Sequence, residues 1–457
     1  MRPVTAQWVA NAVSGTLAAD VDAIVTSVVK DSREVAPGAL YVAFVGERVD
    51  GHDFVPAALA AGATLCLVSQ HVDAPHVLVD DVELALGALA RAYLALLRTE
   101  GDITVVAVTG SNGKTTTKDL LAQTLPDVVA PVGSYNNEIG MPLTVLAADS
   151  STRHLVLEMG ASGPGHIAYL TSIAPPDIAI VLMVGTAHAG GYDGPDGIAR
   201  AKAELVRGLV PGGVAILNAD DTAVAAMAPL AERVVTFGQA SAADVRASDL
   251  TLAKGRASFV PVVRGASGHR MTLSLVGEHH VTNALAALAA ALECGMQLDE
   301  ASALIAQAKP VSAHRMAVTE RADGITIIDD SYNASPESMR AAFLALLDVA
   351  EGGRTVAVIG EMLEMGDASR EAHWELGHHA VRLGIDYLLV VGEGAKPAFD
   401  AAVREGSWGD EAAFVGSIGD ARSYLSERLM AGDTVLVKAS HGTGLYELAD
   451  ELVRTQA

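Results

Sequence analysis

The chain has 457 residues; 50% are hydrophobic, only 4% are aromatic, and the formal net charge at pH 7 is −24. At roughly 150 residues per domain, this length predicts about three domains. So negative a charge disfavours nucleic acid and anionic membranes as partners, and no apolar run reaches the roughly 18 residues of a membrane span. Two distant cysteines argue against a disulfide framework, and the N-terminus has no secretory leader, so we expect a cytoplasmic protein.

Apolar runs that alternate with helical stretches divide the chain into three α/β blocks, residues 1–99, 100–309 and 310–457. A polar stretch and a Lys-Pro break mark the two borders. The middle block has the pattern of a mainly parallel sheet covered on both faces, and the last block is doubly wound. The predicted strands are residues 39–45, 64–68, 77–79, 103–108, 154–157, 178–184, 214–217, 325–328, 355–359, 387–391 and 434–437, and helices of the first block are predicted at 54–61 and 83–97.

Three basic residues of the first block, Lys30, Arg33 and Arg48, lie near glycines. In so acidic a chain, an anionic ligand needs locally concentrated positive charge. The grouping therefore predicts an anion site, although scattered surface charge explains the same residues.

The stretch VAVTGSNGKTTTKDLL, residues 106–121, ends an apolar strand, turns through Gly110 and Gly113, and starts a helix with Lys114 and Thr115. Backbone N–H groups converge at such a turn, and the helix N-terminus adds partial positive charge. The lysine can reach the outer phosphates of a nucleotide, and the threonine hydroxyl is placed for Mg²⁺. The first glycine of the strict P-loop pattern is missing, and a plain glycine turn would not explain the lysine. We therefore predict a central P-loop domain that binds ATP or GTP.

A polar, turn-rich stretch follows at SYNNEIGMPLT, residues 134–144. Asn136, Asn137 and Glu138 offer several hydrogen-bond donors and acceptors in a row. The alternative is an Asn-rich turn that caps a helix beginning near Met141.

Polar side chains follow the next strands of the middle block. Glu158 ends an apolar strand, where a carboxylate beside a P-loop commonly holds Mg²⁺, although a solvated acid would also fit. His188 lies in a glycine-rich loop after the following strand and is a candidate second metal ligand or a hydrogen-bonded loop histidine. Lys202 and Glu204 fall on a helix, and their spacing alone indicates an ordinary salt-bridged surface.

The third block opens with a predicted binding loop. Asp329 and Asp330 sit at a strand end, and a Tyr-Asn turn leads to a helix with Ser335 as cap and Pro336 in its first turn. Later acids and histidines at 361–379 fit a solvated helix face better than a metal site. The Glu-His-His run at 278–280 has no further ligand at zinc spacing, so we do not expect zinc.

Taken together, these motifs resemble the Mur ligase family, ATP-dependent enzymes that add amino acids to the peptide of bacterial cell-wall precursors. The matching strings span nearly the whole chain: DSR, GERVDGHDF, TGSNGKTTTK, NNEIGMPLT, LEMG, AHAG, AKAE, DDSYNASPESM and GEMLEMG. Several of these forms favour the branch that uses D-alanyl-D-alanine over the branch that adds the third residue, whose Asp-Asn-Pro-Arg string is absent.

The resemblance implies an ATP-dependent carbon–nitrogen ligase of peptidoglycan synthesis. It would join D-alanyl-D-alanine to UDP-N-acetylmuramoyl-tripeptide through an acyl phosphate, giving the pentapeptide, ADP and phosphate. Residues 1–99 would bind the UDP-substrate, residues 100–309 ATP, and residues 310–457 the nucleotide and the dipeptide. We expect a monomer, and the third residue of the tripeptide, lysine or a diamino acid, stays open.

The resemblance also implies roles for single residues. One Mg²⁺ would lie on Thr115 and Glu158, and a second on His188, with Lys202 as a carbamylated ligand. The implied catalytic residues are Lys114, Glu158, His188 and Lys202. The implied nucleotide contacts are Gly110, Ser111, Asn112, Gly113, Lys114, Thr115, Thr116, Asn283 (adenine), Arg315 and Asp330. The implied substrate contacts are Ser32 and Arg33 at the uridine diphosphate and Asn137 near the reacting carboxylate.

The chain departs from the family pattern at two positions. His441 stands where the family commonly has arginine, which leaves the contact with the dipeptide open, and His314 replaces a glycine. The alternatives are a relative such as folylpolyglutamate synthase, a GTPase or a non-catalytic binding protein. A GTPase would need a guanine-reading Asn-Lys-x-Asp loop, which the sequence lacks, and a pure binding protein would not need the metal-ligand set.

Overall fold

The computed structural model describes residues 1–46, 48–185, 192, 194–406 and 411–454. They form three α/β units joined in chain order: a first unit (4–100), a central unit (104–307) and a third unit (314–454), with a linker at 308–313 before the third. Among these residues, no helix combines the length and the hydropathy that a membrane crossing needs.

The first unit is a small, mostly parallel sheet in the order β2-β7-β6-β5-β4, with β2 antiparallel at one edge. Its inner strands are completely buried, which explains their continuous apolar sequence. Its elements are β1 (Val4–Thr5), α1 (Ala6–Val13), β2 (Thr16–Ala18), β3 (Ile24–Val25), β4 (Ser27–Val29), β5 (Ala39–Val42), α2 (Val55–Ala60), β6 (Leu65–Val68), β7 (His76–Leu78) and α3 (Val82–Glu100).

The strand predicted at 39–45 ends three residues early, at Val42. The chain turns back there, because the N–H of Gly51 donates to the carbonyl of Phe44 at 2.7 Å and Val45 bridges to Asp50. A local turn therefore overrides the apolar run.

The central unit is built on a long sheet in the order β16-β15-β14-β13-β12-β11-β8-β10-β9, with β17 beside β15. The neighbouring strands β14, β13, β12, β11, β8, β10 and β9 are parallel. Its strands are β8 (Thr104–Thr109), β9 (Val128–Val129), β10 (His154–Glu158), β11 (Ile178–Val181), β12 (Val214–Asn218), β13 (Arg233–Gly238), β14 (Val245–Ala253), β15 (Arg256–Val263), β16 (Ala266–Ser267) and β17 (Met271–Val276). Its helices are α4 (Lys114–Thr124), α5 (Gly140–Ala147), α6 (His166–Ile173), α7 (Gly194–Arg207), α8 (Thr222–Ala225), α9 (His280–Glu293) and α10 (Leu298–Gln307).

The antiparallel end of this sheet was not predicted from the sequence. Two tight turns make it: Lys254-Gly255 joins β14 to β15, and Arg264-Gly265 joins β15 to β16, all four residues with positive φ. Two-residue turns with positive φ have a backbone twist that matches the right-handed twist of the strands they join. The strand predicted at 178–184 also ends earlier, at Val181.

The third unit is doubly wound, as predicted, with β18-β19-β23-β20-β21-β22 in one sheet, parallel apart from β18. Helices α11 to α13 pack on one face, and α14 and α15 on the other. Its elements are β18 (Ala317–Glu320), β19 (Thr326–Asp329), α11 (Pro336–Ala350), β20 (Thr355–Ile359), α12 (Ser369–Arg382), β21 (Tyr387–Val391), α13 (Lys396–Glu405), β22 (Ala412–Val415), α14 (Ile418–Ser426), β23 (Thr434–Lys438) and α15 (Tyr446–Arg454).

Two local predictions for this unit have different outcomes. Ser335 caps α11 with Pro336 in the first turn, as predicted. The prediction of a fully solvated face on α12 was wrong for His373, which is buried and hydrogen-bonded to the N–H of Met362 at 2.9 Å.

Candidate active site

The loop between β8 and α4 is shaped by glycine. Gly113 precedes α4 with φ +86°, a left-handed conformation that favours glycine. A Cβ at this position would lie 2.3 Å from the side-chain oxygen of Asn283, which is buried on α9. The loop and α9 therefore meet so closely that only glycine fits between them.

A buried carboxylate lies beside the start of α4. Glu158, at the end of β10, is 1% exposed; its Oε2 accepts the Thr115 hydroxyl at 2.9 Å and its Oε1 accepts the Asn136 amide at 2.8 Å. The Ser134 hydroxyl lies 2.9 Å from that of Thr115. Parallel strands β8 and β10 are neighbours, so their carboxyl ends bring these groups together.

A half-buried lysine, Lys114, and a buried one, Lys202, lie close to this group. Lys114 donates to the carbonyl of Gly110 at 2.8 Å, and burial lowers its pKa while the Glu158 carboxylate opposes that shift. Lys202 on α7 is 6% exposed, and burial, reinforced by the charge of Lys114, lowers its pKa to about 7. A neutral Lys202 amine is therefore well populated near neutral pH.

The third unit reaches across to the loop. The Arg315 guanidinium donates to the hydroxyls of Thr115 and Ser134, at 3.3 Å each. Asn112 in the loop donates to the Ser335 hydroxyl at 3.1 Å. The site therefore has walls from two units.

Behind Arg315 lies a buried ion pair. Lys438, 2% exposed at the end of β23, donates to Asp330 at 2.5 Å and to the carbonyl of Asn333 at 2.8 Å. Asp330 also accepts the N–H of Met316 at 3.1 Å. Nearby, burial lowers the pKa of His279 to about 4, against the opposing charge of Asp330.

Three adjoining cavities surround the loop, and Asn112 and Gly113 line all of them. The first, of about 330 Å³, lies between the loop and the third unit. The second, of about 270 Å³, lies between Asn283, Arg315 and Asp330. The third, of about 470 Å³, opens from Asn283 toward the ends of β11 and β12. A phosphate chain and a base have room on either side of the loop.

The donors at the loop suit a hard cation. Thr115, Ser134 and Glu158 offer hydroxyl and carboxylate oxygens, the ligands that Mg²⁺ prefers. Within the described residues, Glu158 has no ion pair, although it is almost fully buried. A buried carboxylate normally needs a charge partner, so this position fits a bound metal ion.

The predicted residues fall into two groups. The loop residues 111–116, with Glu158, Asn283, Arg315 and Asp330, meet around these cavities, and Lys202 lies close enough for Lys114 to affect its pKa. The predicted ligand His188 lies outside the described residues.

The predicted substrate contacts lie elsewhere. Ser32 and Arg33 form a short helical turn of the first unit, where Arg33 is exposed and pairs with Asp31 at 2.5 Å. The Asn137 side chain accepts the N–H of Gly140, the first residue of α5, at 2.9 Å. Its neighbour Asn136 is the residue that reaches Glu158.

Sequence reasoning assigned no role to Ser134 or Lys438, marked Tyr332 only as part of a predicted binding loop, and did not single out Asn136 from its neighbours. Ser134 and Asn136 belong to the polar turn that the sequence did mark, and Lys438 directly follows the strand predicted at 434–437. The signal was the same strand-end polarity that revealed Glu158.

Three family models match the chain: Mur ligase middle domain at residues 108–291, the glutamate ligase domain of Mur ligase at 314–441, and the catalytic domain of the Mur ligase family at 24–94. A UDP-N-acetylmuramoyl-tripeptide–D-alanyl-D-alanine ligase of Mycobacterium leprae is 43% identical, over 93% of this chain and 92% of its own length.

Solved structures agree with this similarity. A crystal structure of MurF from Acinetobacter baumannii has a TM-score of 0.89 at 31% identity and covers all of both chains. MurF ligase from Thermotoga maritima in complex with ADP has a TM-score of 0.80 at 31% identity, over 93% of this chain and 96% of its own.

Proposed function

Because this chain belongs to the Mur ligase family, we propose that it is the ATP-dependent ligase that joins D-alanyl-D-alanine to UDP-N-acetylmuramoyl-tripeptide. One observation carries the chemistry: Thr115 and Glu158 lie beside Lys114 in a loop that Arg315 reaches from another unit. The 43% identity over 93% of the chain to a relative of that name supports the choice of amine and acceptor.

ATP is proposed to lie around the Gly110–Thr116 loop. Loop N–H groups and the N-terminus of α4 would hold its phosphates, and Lys114 would neutralise the outer ones. The cavity at Asn283 would take adenine, and Arg315 and Asp330 would contact the rest of the nucleotide from the third unit. The ADP complex of the Thermotoga relative supports this use of the site.

Two Mg²⁺ ions are proposed, one held by Thr115 and Glu158 and one by His188 and Lys202. Bound there, they would supply charge neutralisation for the moving phosphoryl group. The oxygen donors of Thr115 and Glu158, and the burial of the Glu158 carboxylate, support the first position.

Lys202 would become a metal ligand by carbamylation. Its neutral amine attacks the carbon of CO₂, a C–N bond forms as one C=O π bond opens onto oxygen, and one proton leaves to solvent, so the neutral amine becomes a carbamate anion. A pKa of about 7, which burial causes, supplies the neutral amine that this step requires.

The reaction needs an activated carboxylate, because a carboxylate is a poor electrophile. The γ-phosphoryl group of ATP would convert it to an acyl phosphate, and the amine of the dipeptide would displace phosphate and form the amide. Water must be kept out, or the acyl phosphate hydrolyses. The third unit, which lines the first cavity with Tyr332 and His441, is placed to close it.

The first unit is proposed to bind the uridine diphosphate through Ser32 and Arg33, with Asn137 facing the reacting carboxylate. Residues 1–99, 100–309 and 310–457 are the proposed domain borders. A monomer in the cytoplasm is our proposal for the working form.

The test is phosphate release from ATP with UDP-N-acetylmuramoyl-tripeptide and a panel of amines. We expect release with D-alanyl-D-alanine and none with lysine, diaminopimelate or glutamate. Release with a single amino acid, and none with the dipeptide, would overturn the proposed function.

A further inference from the structure

Five side chains form a continuous stack beside the first cavity. The Arg315 guanidinium lies 4.1 Å from the centroid of the Tyr332 ring, and Tyr332 stacks on His441 at 5.3 Å. His441 stacks on Tyr446 at 4.6 Å, with the rings 15° apart, and Tyr446 meets His314 at 5.5 Å. The stack therefore begins at Arg315 and ends at His314, which are adjacent residues of one segment.

That segment has an unusual backbone. His314 and Met316, on either side of Arg315, have φ of +59° and +49°. This region is uncommon for residues other than glycine, and it persists where surrounding contacts hold it. Here the contacts are a hydrogen bond between the His314 ring and the Asp329 carboxylate at 2.7 Å and a hydrogen bond from the N–H of Tyr332 to the carbonyl of His314.

The Arg315 end of the stack faces the nucleotide loop. Arg315 reaches the hydroxyls of Thr115 and Ser134 at 3.3 Å, across the boundary between the units. A long arginine side chain has many rotamers, and an aromatic face beneath the guanidinium removes most of them. The orientation of the Tyr332 ring thus decides where the guanidinium lies.

We propose that His441 is a positioning residue for Arg315: it holds the Tyr332 ring between itself and the guanidinium, and Tyr446 supports it from behind. His314 and His441, the two departures from the family pattern, both contact Tyr446 and therefore belong to the same stack. This inference rests on the proposed function. Its rival is direct contact between His441 and a substrate, since His441 is exposed and lines the cavity.

The first experiment compares two variants in the phosphate-release assay with all substrates. Loss of the ring in His441→Ala should lower kcat about three- to ten-fold and leave the KM for ATP within about twofold. His441→Phe keeps an aromatic face and should restore kcat to within about twofold of the wild type. Loss of kcat in both variants alike would overturn the stacking role and indicate a polar contact with substrate.

The second experiment asks whether His441 acts through Arg315. In an Arg315→Ala background, the further change His441→Ala should alter kcat less than about twofold, because the group being positioned is absent. A full additional loss in that background would overturn the proposal. An inactive wild-type protein would instead contradict the proposed function, so the two failures are distinguishable.

Discussion

The central unit meets its two neighbours in opposite ways. Helix α3 of the first unit shares one hydrophobic core with the central unit, and Tyr93 within it is fully buried. Its hydroxyl donates to the carbonyl of Ala148 at 2.7 Å. At the boundary with the third unit, polar contacts meet the loop: Arg315 donates to the hydroxyls of Thr115 and Ser134 at 3.3 Å, and Asn112 donates to the Ser335 hydroxyl at 3.1 Å. Cavities lie beside these contacts, and Val276 of β17 packs in the core of the third unit.

The first boundary therefore stabilises the fold, whereas the second boundary contains the nucleotide loop where the chemistry takes place. A shared apolar core holds two units as one body, whereas a boundary of mainly polar contacts and cavities permits relative movement. The nucleotide loop lies at the second boundary, with Arg315 reaching it from the third unit. We therefore expect stability to depend on the first boundary and turnover on the second.

The largest effect should come from the loop. Lys114→Ala should lower kcat for phosphate release by about 100- to 1,000-fold, because a cation at the nucleotide loop is lost where charge develops. The free energy of unfolding, from urea titration, should change little. Near-normal turnover would remove the loop from the chemistry.

A substitution at the first boundary should lower the stability of the fold. Tyr93→Ala should lower the free energy of unfolding by about 3–5 kcal/mol, since it empties a packed site between two units. The control Tyr93→Phe removes the hydroxyl alone and should cost about 1 kcal/mol. A small loss in Tyr93→Ala, or separate transitions for the two units, would break the comparison.

The next prediction concerns Lys202 of the central unit, whose pKa burial lowers to about 7. Since only the neutral amine takes up CO₂, a labile mass adduct should rise as the pH increases through 7 and disappear at lower pH. Lys202→Ala should lower kcat about 10- to 100-fold, and short carboxylic acids should restore part of it.

The control for Lys202 is Lys396→Ala, which removes a partly exposed lysine of α13 that lies 5.4 Å from the centroid of the Phe414 ring and lines none of the three cavities. It should leave both adduct and rate unchanged. No adduct at alkaline pH together with no rescue would refute the carbamate.

The smallest effect should come from the linker. Gln123→Ala removes two hydrogen bonds to Lys309 and should cost less than about 1 kcal/mol of unfolding free energy. Hydrogen exchange in 308–313 should nevertheless rise. Gln7→Ala, whose amide bonds Asn11 within one helix, is the control. A loss of unfolding free energy as large as that expected for Tyr93→Ala would contradict the proposed difference between the two boundaries.

Local signals in the sequence predicted the scaffold of the site. The Gly-x-x-Gly-Lys-Thr turn and the acid at a strand end located Lys114, Thr115 and Glu158, because each depends on neighbours in the chain. The α/β class and the doubly wound third unit followed from apolar periodicity.

Long-range proximity was not readable in the same way. The contact of Gly113 with Asn283 and the burial that lowers the pKa of Lys202 depend on how distant segments pack. The resemblance to the family, and not the pattern alone, singled out Lys202 and Arg315. The hairpin at Lys254-Gly255 had a local turn signal, and the apolar runs around it concealed its antiparallel pairing.

The most direct test of the account is Arg315→Ala, measured for single-turnover phosphate release, ATP affinity and unfolding. If the polar boundary completes the active site, turnover should fall at least about 100-fold. The free energy of unfolding should stay within about 1 kcal/mol of the wild type. Turnover near that of the wild type, or a loss explained by unfolding, would contradict the claim that catalysis needs the third unit at the loop.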